Sequence, residues 1–150
     1  MKVGILWDLD GTLLDTLEDL LDATNYALAA YGHPPRTLKE LRRFVGNGAR
    51  MQITKALPGR EDDPPLEQVL EDYKVYYAAH SQVKTGPYPG VLQALAQIRE
   101  KYPVAVVSNK PDQDTKPLCA TYFGRKIYAL GQRDDCPKKP APDMLIRAME

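Results

Sequence analysis

The chain has 150 residues, 43% of them hydrophobic and 27% charged, which is enough chain and enough apolar content for a packed core and leaves no reason to expect disorder. Twenty basic and twenty acidic residues cancel. No global field therefore recruits nucleic acid or an anionic membrane, and any recognition of an anion must be local. The amino terminus lacks a signal-peptide pattern and no apolar run approaches the roughly 20 residues of a membrane span, so a cytoplasmic, non-membrane protein is expected.

The first predicted element is a strand from Val3 to Trp7, continuously apolar apart from Gly4, as expected of a strand covered on both faces. It runs into Asp8-Leu9-Asp10-Gly11-Thr12-Leu13. Side chains alternate along a strand, but where the backbone turns at its carboxyl end Asp8 and Asp10 can both reach the crevice in which open α/β sheets bind ligands, with Gly11 permitting the turn. A carboxylate there can attack phosphorus to give an aspartyl phosphate, and Asp8, nearest the strand, is the candidate nucleophile. Asp10 is the candidate acid and base, protonating the leaving oxygen and then taking a proton from the hydrolytic water. Two acids facing a phosphate dianion imply a hard divalent cation on Asp8 and Asp10, Mg²⁺ before others. Asp15 and Thr16 are read as helix-capping residues only.

A run of helices follows, far longer than a crossover between strands requires, and reads as an inserted cap. Thr16 caps a helix with Leu17, Leu20, Leu21, Thr24, Ala27, Leu28 and Tyr31 on one side, stopped by Gly32 and Pro34-Pro35. Thr37 and Glu40 form a capping box for a short helix ending near Val45. Gly46-Asn47-Gly48 permits a tight turn into a helix from Ala49 to Leu57, halted by Pro58-Gly59. Beyond an acidic, proline-rich loop at Glu61 to Pro65, a fourth helix carries Leu66, Val69, Leu70, Tyr73, Tyr77 and His80. Its tyrosines at 73, 76 and 77 are read as packing, and His33 and His80, near helix ends, as structural.

The return segment Thr85-Gly86-Pro87-Tyr88-Pro89-Gly90 is stiff and, with Leu13 to Thr16, forms a two-stranded hinge. A helix from Val91 to Lys101 buries Val91, Leu92, Leu95 and Ile98. The β-branched run Val104 to Val107 is a parallel strand ending at Ser108, whose hydroxyl can donate to a phosphate oxygen, and Asn109 adds backbone and amide donors. Pro111 and Asp112 open a helix whose amino end favours anions. Pro117 is expected to kink that helix or to move its start to Thr115. Lys139, set among prolines, is a compact positive charge able to neutralise a bound phosphate and steady Asp8. Cys119 and Cys136 lack a C-x-x-C spacing and are read as reduced thiols; Asp134 and Asp135 are read as loop charges.

In Asp8-Leu9-Asp10-Gly11-Thr12-Leu13, Val106-Val107-Ser108-Asn109-Lys110-Pro111 and Lys138-Lys139-Pro140-Ala141-Pro142, taken in that order, the sequence resembles the haloacid dehalogenase superfamily and its phosphoglycolate phosphatase-like branch. The resemblance covers essentially the whole chain. It implies an α/β fold: a Rossmann-like parallel sheet core at 1–15 and 86–150, incomplete at the carboxyl end, with an inserted α-helical cap at 16–85. It also implies hydrolysis of a small phosphate monoester with Mg²⁺, with Lys139 preferred to Lys138 because the family's lysine directly precedes proline. The segment from Phe44 to Arg50 resembles the substrate loop of phosphoglycolate phosphatases, so Gly46, Asn47, Gly48 and either Arg43 or Arg50 become candidate specificity residues; a plain helix connection is the alternative.

Family members continue through a further strand to a fourth acidic motif. The expectation is that this form, ending at Glu150, is truncated before that motif, binds Mg²⁺ poorly, and exposes its first strand to self-association or aggregation. Asp10 argues against the dehalogenase branch. A pyrophosphatase or sugar-phosphate phosphatase of the same superfamily, or a non-catalytic phosphate-binding or partner-binding chain, are the other readings; the expected partner is a small phosphorylated metabolite.

Overall fold

A computed structural model describes residues 3–59 and 65–150. In chain order the elements are β1 (Ile5–Trp7), β2 (Leu14–Asp15), α1 (Leu17–Ala29), α2 (Leu38–Phe44), α3 (Ala49–Ala56), α4 (Leu66–His80), β3 (Gly86–Pro87), α5 (Val91–Arg99), β4 (Val104–Pro111), α6 (Asp112–Phe123), β5 (Tyr128–Gln132) and α7 (Asp143–Met149). Contacts divide the chain into a unit of residues 1–15 with 86–150 and a unit of residues 16–85.

The first unit is a parallel sheet in the order β1-β4-β5, with Trp7 opposite Val106 and Val106 opposite Ala129. Alternation along the strands builds a core on each face. Val106 and Ala129 join Leu95 of α5 and Leu118, Cys119 and Phe123 of α6, with Trp7 packed against them. Their neighbours Val107 and Leu130 point the other way, to Cys136 and Met144, with Leu6 against that cluster. Val106 and Val107 are almost completely buried, each worth about 1.5–3 kcal/mol of hydrophobic stabilisation. Gly131 of β5 meets α6 so closely that a Cβ there would lie 2.5 Å from the Asp112 Cα, and its N–H donates to Asp112 Oδ1 at 2.9 Å. The fold is thus an α/β, Rossmann-like parallel sheet with helices.

Four expectations are corrected here. β1 begins at Ile5 and not at Val3, which is exposed: one step before the Ile5 to Val104 pairing lies Pro103, whose nitrogen has no hydrogen to give a ladder. β4 does not end at Ser108 but continues to Pro111, across an irregular register. Pro117 lies inside α6, which still starts at Asp112. In α5 only Leu95 is buried and Leu92 is exposed. Val91, Leu95 and Ile98 share a stripe at i, i+4 and i+7, from which Leu92 is rotated by about 100°.

The second unit packs its four helices around Leu20, Ala23, Ala27, Leu41, Ile53, Val69, Leu70, Tyr73 and Tyr77. The capping box forms: Thr37 Oγ1 accepts from the Glu40 N–H while Glu40 Oε2 accepts from the Thr37 N–H. Thr16, in contrast, makes no side-chain cap, because its backbone is not in the extended conformation that aims a hydroxyl back at the helix. Gly46 and Gly48 both have positive φ, as the turn between α2 and α3 requires. The buried Asp19 carboxylate accepts from the N–H groups of Lys84 and Thr85 and from the Thr85 hydroxyl, tying the end of the unit to its start. The expected loop at Glu61 to Pro65 lies, except for Pro65, outside the described residues.

Candidate active site

At the carboxyl end of β1 the chain turns on the buried Leu9, whose carbonyl accepts from the N–H groups of Thr12, Leu13 and Leu14. Gly11 makes the turn with φ 76° and donates its N–H to the Leu14 carbonyl at 2.9 Å. This turn leaves Asp8 and Asp10 on either side of a fully buried leucine at the carboxyl end of β1. Leu14 and Asp15 then pair antiparallel with Pro87 and Gly86.

Lys139 comes to Asp8 from the far end of the unit. Its ammonium donates to Asp8 Oδ1 at 3.1 Å and to the Val107 carbonyl at 2.7 Å. The lysine is held by its backbone as well: Asn109 Nδ2 donates to the Lys139 carbonyl and the Lys139 N–H donates to Asn109 Oδ1, both at 2.9 Å. The Asn109 amide is therefore engaged with the Lys139 loop, and its side chain positions that lysine instead of presenting an amide to a phosphate as the sequence suggested. Ser108 is buried, and its Oγ accepts from the Lys110 N–H at 3.1 Å, which leaves the hydroxyl hydrogen to donate.

One residue of this cluster carried no role in the sequence reading. The Lys110 ammonium lies 3.2 Å from Asp10 Oδ1, with its side chain only 4% exposed. Its signal in the sequence was a lysine directly after Ser108-Asn109 in an otherwise apolar strand, visible but easily taken for the start of a loop. Each carboxylate of the pair thus has its own ammonium. The Asp8 and Lys139 side chains are 47% and 25% exposed and Asp10 20%, so these three reach solvent while Lys110 does not. Burial, with the Asp10 charge adding to it, pushes the Cys119 thiol up to about 12, so that thiol stays neutral in the core near Asp10.

Among the described residues no group of three or more His, Cys, Asp or Glu side chains gathers as a metal cluster. The candidate specificity residues Arg43, Gly46, Asn47, Gly48 and Arg50 belong to the helical unit. Arg50 there donates to both Glu67 oxygens, at 2.6 and 2.9 Å, which holds the Glu67 carboxyl below its ordinary range. Asp135 is held by Arg147 and Arg133, as befits a loop charge. No helix among the described residues is long and apolar enough to cross a membrane.

A parallel α/β sheet with an acid pair at the end of its first strand and a lysine brought to it from a later loop defines a class of hydrolase. The haloacid dehalogenase-like hydrolase family model matches residues 5–150, and the chain belongs to that family. Phosphoglycolate phosphatase 1 of Pseudomonas aeruginosa is 33% identical over 158 residues, covering 97% of this chain and 56% of that protein. The N-acetylmuramic acid 6-phosphate phosphatase of the same organism is 35% identical, covering 97% of this chain and 66% of that protein. The crystal structure of CbbY from Rhodobacter sphaeroides in complex with phosphate superposes with a TM-score of 0.78 at 26% identity, over 99% of this chain and 72% of that one. The chain therefore spans between half and two thirds of the two curated relatives.

Proposed function

We propose that the protein is a phosphatase hydrolysing a small phosphate monoester through an aspartyl phosphate on Asp8. The observation that carries this reading is the Lys139 ammonium bridging Asp8 Oδ1 and the Val107 carbonyl, from a residue 131 positions away in the chain. An ammonium so placed orients Asp8, and its third hydrogen is available to a phosphoryl oxygen. In the first step an Asp8 oxygen attacks phosphorus, the ester P–O bond breaks, and Asp10 protonates the leaving oxygen. In the second, Asp10 takes a proton from water as the water oxygen attacks the phosphoryl group, the Asp8–phosphate bond breaks, and inorganic phosphate leaves. Ser108 and Lys139 hold the phosphoryl oxygens; Asn109 holds Lys139.

Two carboxylates two residues apart at the end of β1 are hard oxygen donors that suit Mg²⁺, an ion that commonly takes one or two carboxylates and keeps several waters. Asp8 and Asp10 would hold it, and when bound it supplies charge neutralisation for the phosphate dianion. For the substrate, support comes from the names of the two relatives, each of which denotes a phosphate monoester of an acid. A compact phosphate ester bearing a carboxylate, phosphoglycolate first among them, is the substrate class proposed. The helical unit is proposed as the cap, with Arg43, Gly46, Asn47, Gly48 and Arg50 reading the carboxylate end.

Release of phosphate from a panel of small esters tests this. Wild type is expected to prefer carboxylated esters over nucleotides, and Asp8→Asn to lose at least about a thousandfold in turnover while keeping its circular dichroism spectrum. Hydrolysis by Asp8→Asn near the wild-type rate, with contamination excluded, would remove the nucleophile assignment, and a clear preference for nucleotides would remove the substrate class.

A further inference from the structure

We infer that Lys110 is a positioning residue for Asp10: a resident, buried counter-cation that fixes the direction of the carboxylate through one of its oxygens. This rests on the phosphatase reading for its catalytic consequence, though not for its electrostatic one. A lysine is seldom buried unless paired, and here the ammonium lies 3.2 Å from Asp10 Oδ1 with the lysine side chain 4% and the aspartate side chain 20% exposed. Asp10 is thus the accessible end of the pair, and Lys110 acts on substrate only through it. Lys139 differs in this respect, being 25% exposed on the more open Asp8.

The lysine is also held at both ends of its backbone. Its N–H donates to Ser108 Oγ at 3.1 Å, and its carbonyl accepts from Thr115 Oγ1 at 3.1 Å. Ser108, Lys110 and Thr115 are all buried, so the stem that carries the ammonium starts from a fixed point. A carboxyl group that, as the acid, gives a proton to the leaving oxygen and then, as the carboxylate, takes one from water needs a constant direction in both steps. An ammonium locked onto Oδ1 supplies that direction. It also costs the site something measurable, because a second cation brought to Asp10 meets a like charge already there.

These two consequences have opposite signs, and together they test the role. Mn²⁺ binding, followed by electron paramagnetic resonance, and hydrolysis of p-nitrophenyl phosphate are compared for wild type, Lys110→Met and the exposed-site control Lys126→Met. Lys110→Met is expected to bind Mn²⁺ at least about fivefold more tightly, while its kcat falls at least about tenfold and its KM stays within about threefold. A residue that merely supports the fold would weaken both. Unchanged or weaker Mn²⁺ binding by folded Lys110→Met overturns the inference, as does tighter binding with unchanged kcat. Where wild type hydrolyses no phosphate ester the proposed function falls, and the Mn²⁺ comparison still decides whether Lys110 is the counter-cation. Should Lys110→Met fail to fold, the double variant Asp10→Asn/Lys110→Met takes its place: restored folding supports the pairing, and a double variant no more stable than the single one overturns it.

Discussion

Within each of the two units the chain is held by interactions of different reach. In the helical unit the ordering contacts include local ones, such as the capping box three residues wide at Thr37 and Glu40 and the stacking of Tyr73 on Tyr77 at 5.7 Å. In the sheet unit the contact that makes the site joins Asp8 to Lys139, 131 residues apart. The helical unit has its own long-range tie, from Asp19 to Lys84 and Thr85, but that tie closes the fold, whereas in the sheet unit the acid pair gains its charge partner only once the sheet and its later loop are in place. Changes in the two units are expected to separate into effects on anion binding and effects on stability.

The largest separation is expected at Lys139. Lys139→Ala removes a charge-assisted donor, worth about 1.5–3 kcal/mol, so orthophosphate or vanadate should bind roughly 10- to 150-fold more weakly. Lys138→Ala should change affinity by less than about twofold. Equal effects in calorimetric titrations would turn the lysine pair into a diffuse basic loop and abolish the contrast between units.

The reverse outcome is expected at Asp19. Asp19→Ala strips the N–H groups of Lys84 and Thr85 and the Thr85 hydroxyl of their acceptor, costing about 1–3 kcal/mol in urea unfolding. Orthophosphate affinity should meanwhile hold within about twofold. Loss of phosphate affinity as large as that of Lys139→Ala would break the division.

How much of this was legible in the sequence follows the reach of each contact along the chain. The capping box, the glycine turn at Gly46 to Gly48 and the extents of α2, α3 and α4 rest on neighbours within a few residues, and they read correctly to within about a turn. The acid pair after β1 and the lysine before Pro140 were legible as motifs. What Asn109 and Lys110 do was not: whether an amide faces a ligand or the backbone of residue 139, and whether a lysine is buried on Asp10, depend on which segments the sheet brings side by side. Asp19 escaped notice for the same reason, since in a first helical turn a carboxylate ordinarily serves the helix dipole. Pro117 does not move the start of α6 to Thr115, since Asp112 and Asp114 already stand in the first turn of that helix.

A smaller effect sharpens the picture beneath the site. The Cys119 thiol ordinarily titrates at 9.0 and is pushed up to about 12 in the folded chain, chiefly by burial and then by Asp10. A folded-state pKa raised above the unfolded one gives a contribution that is whole below pH 9.0 and lost as pH climbs toward about 12. Urea midpoints should therefore fall more steeply between about pH 8 and about pH 11 in wild type than in Cys119→Ala. Parallel slopes would mean that the thiol is not held neutral there.

The central claim is that phosphorus is transferred to Asp8. Quenching the enzyme during turnover of a phosphate ester and reducing with borohydride converts an aspartyl phosphate to homoserine, which peptide mass spectrometry locates. The account predicts homoserine at position 8, dependent on substrate and absent from Asp8→Asn. Steady phosphate release with every aspartate left unmodified, or homoserine at position 10 instead, would contradict it.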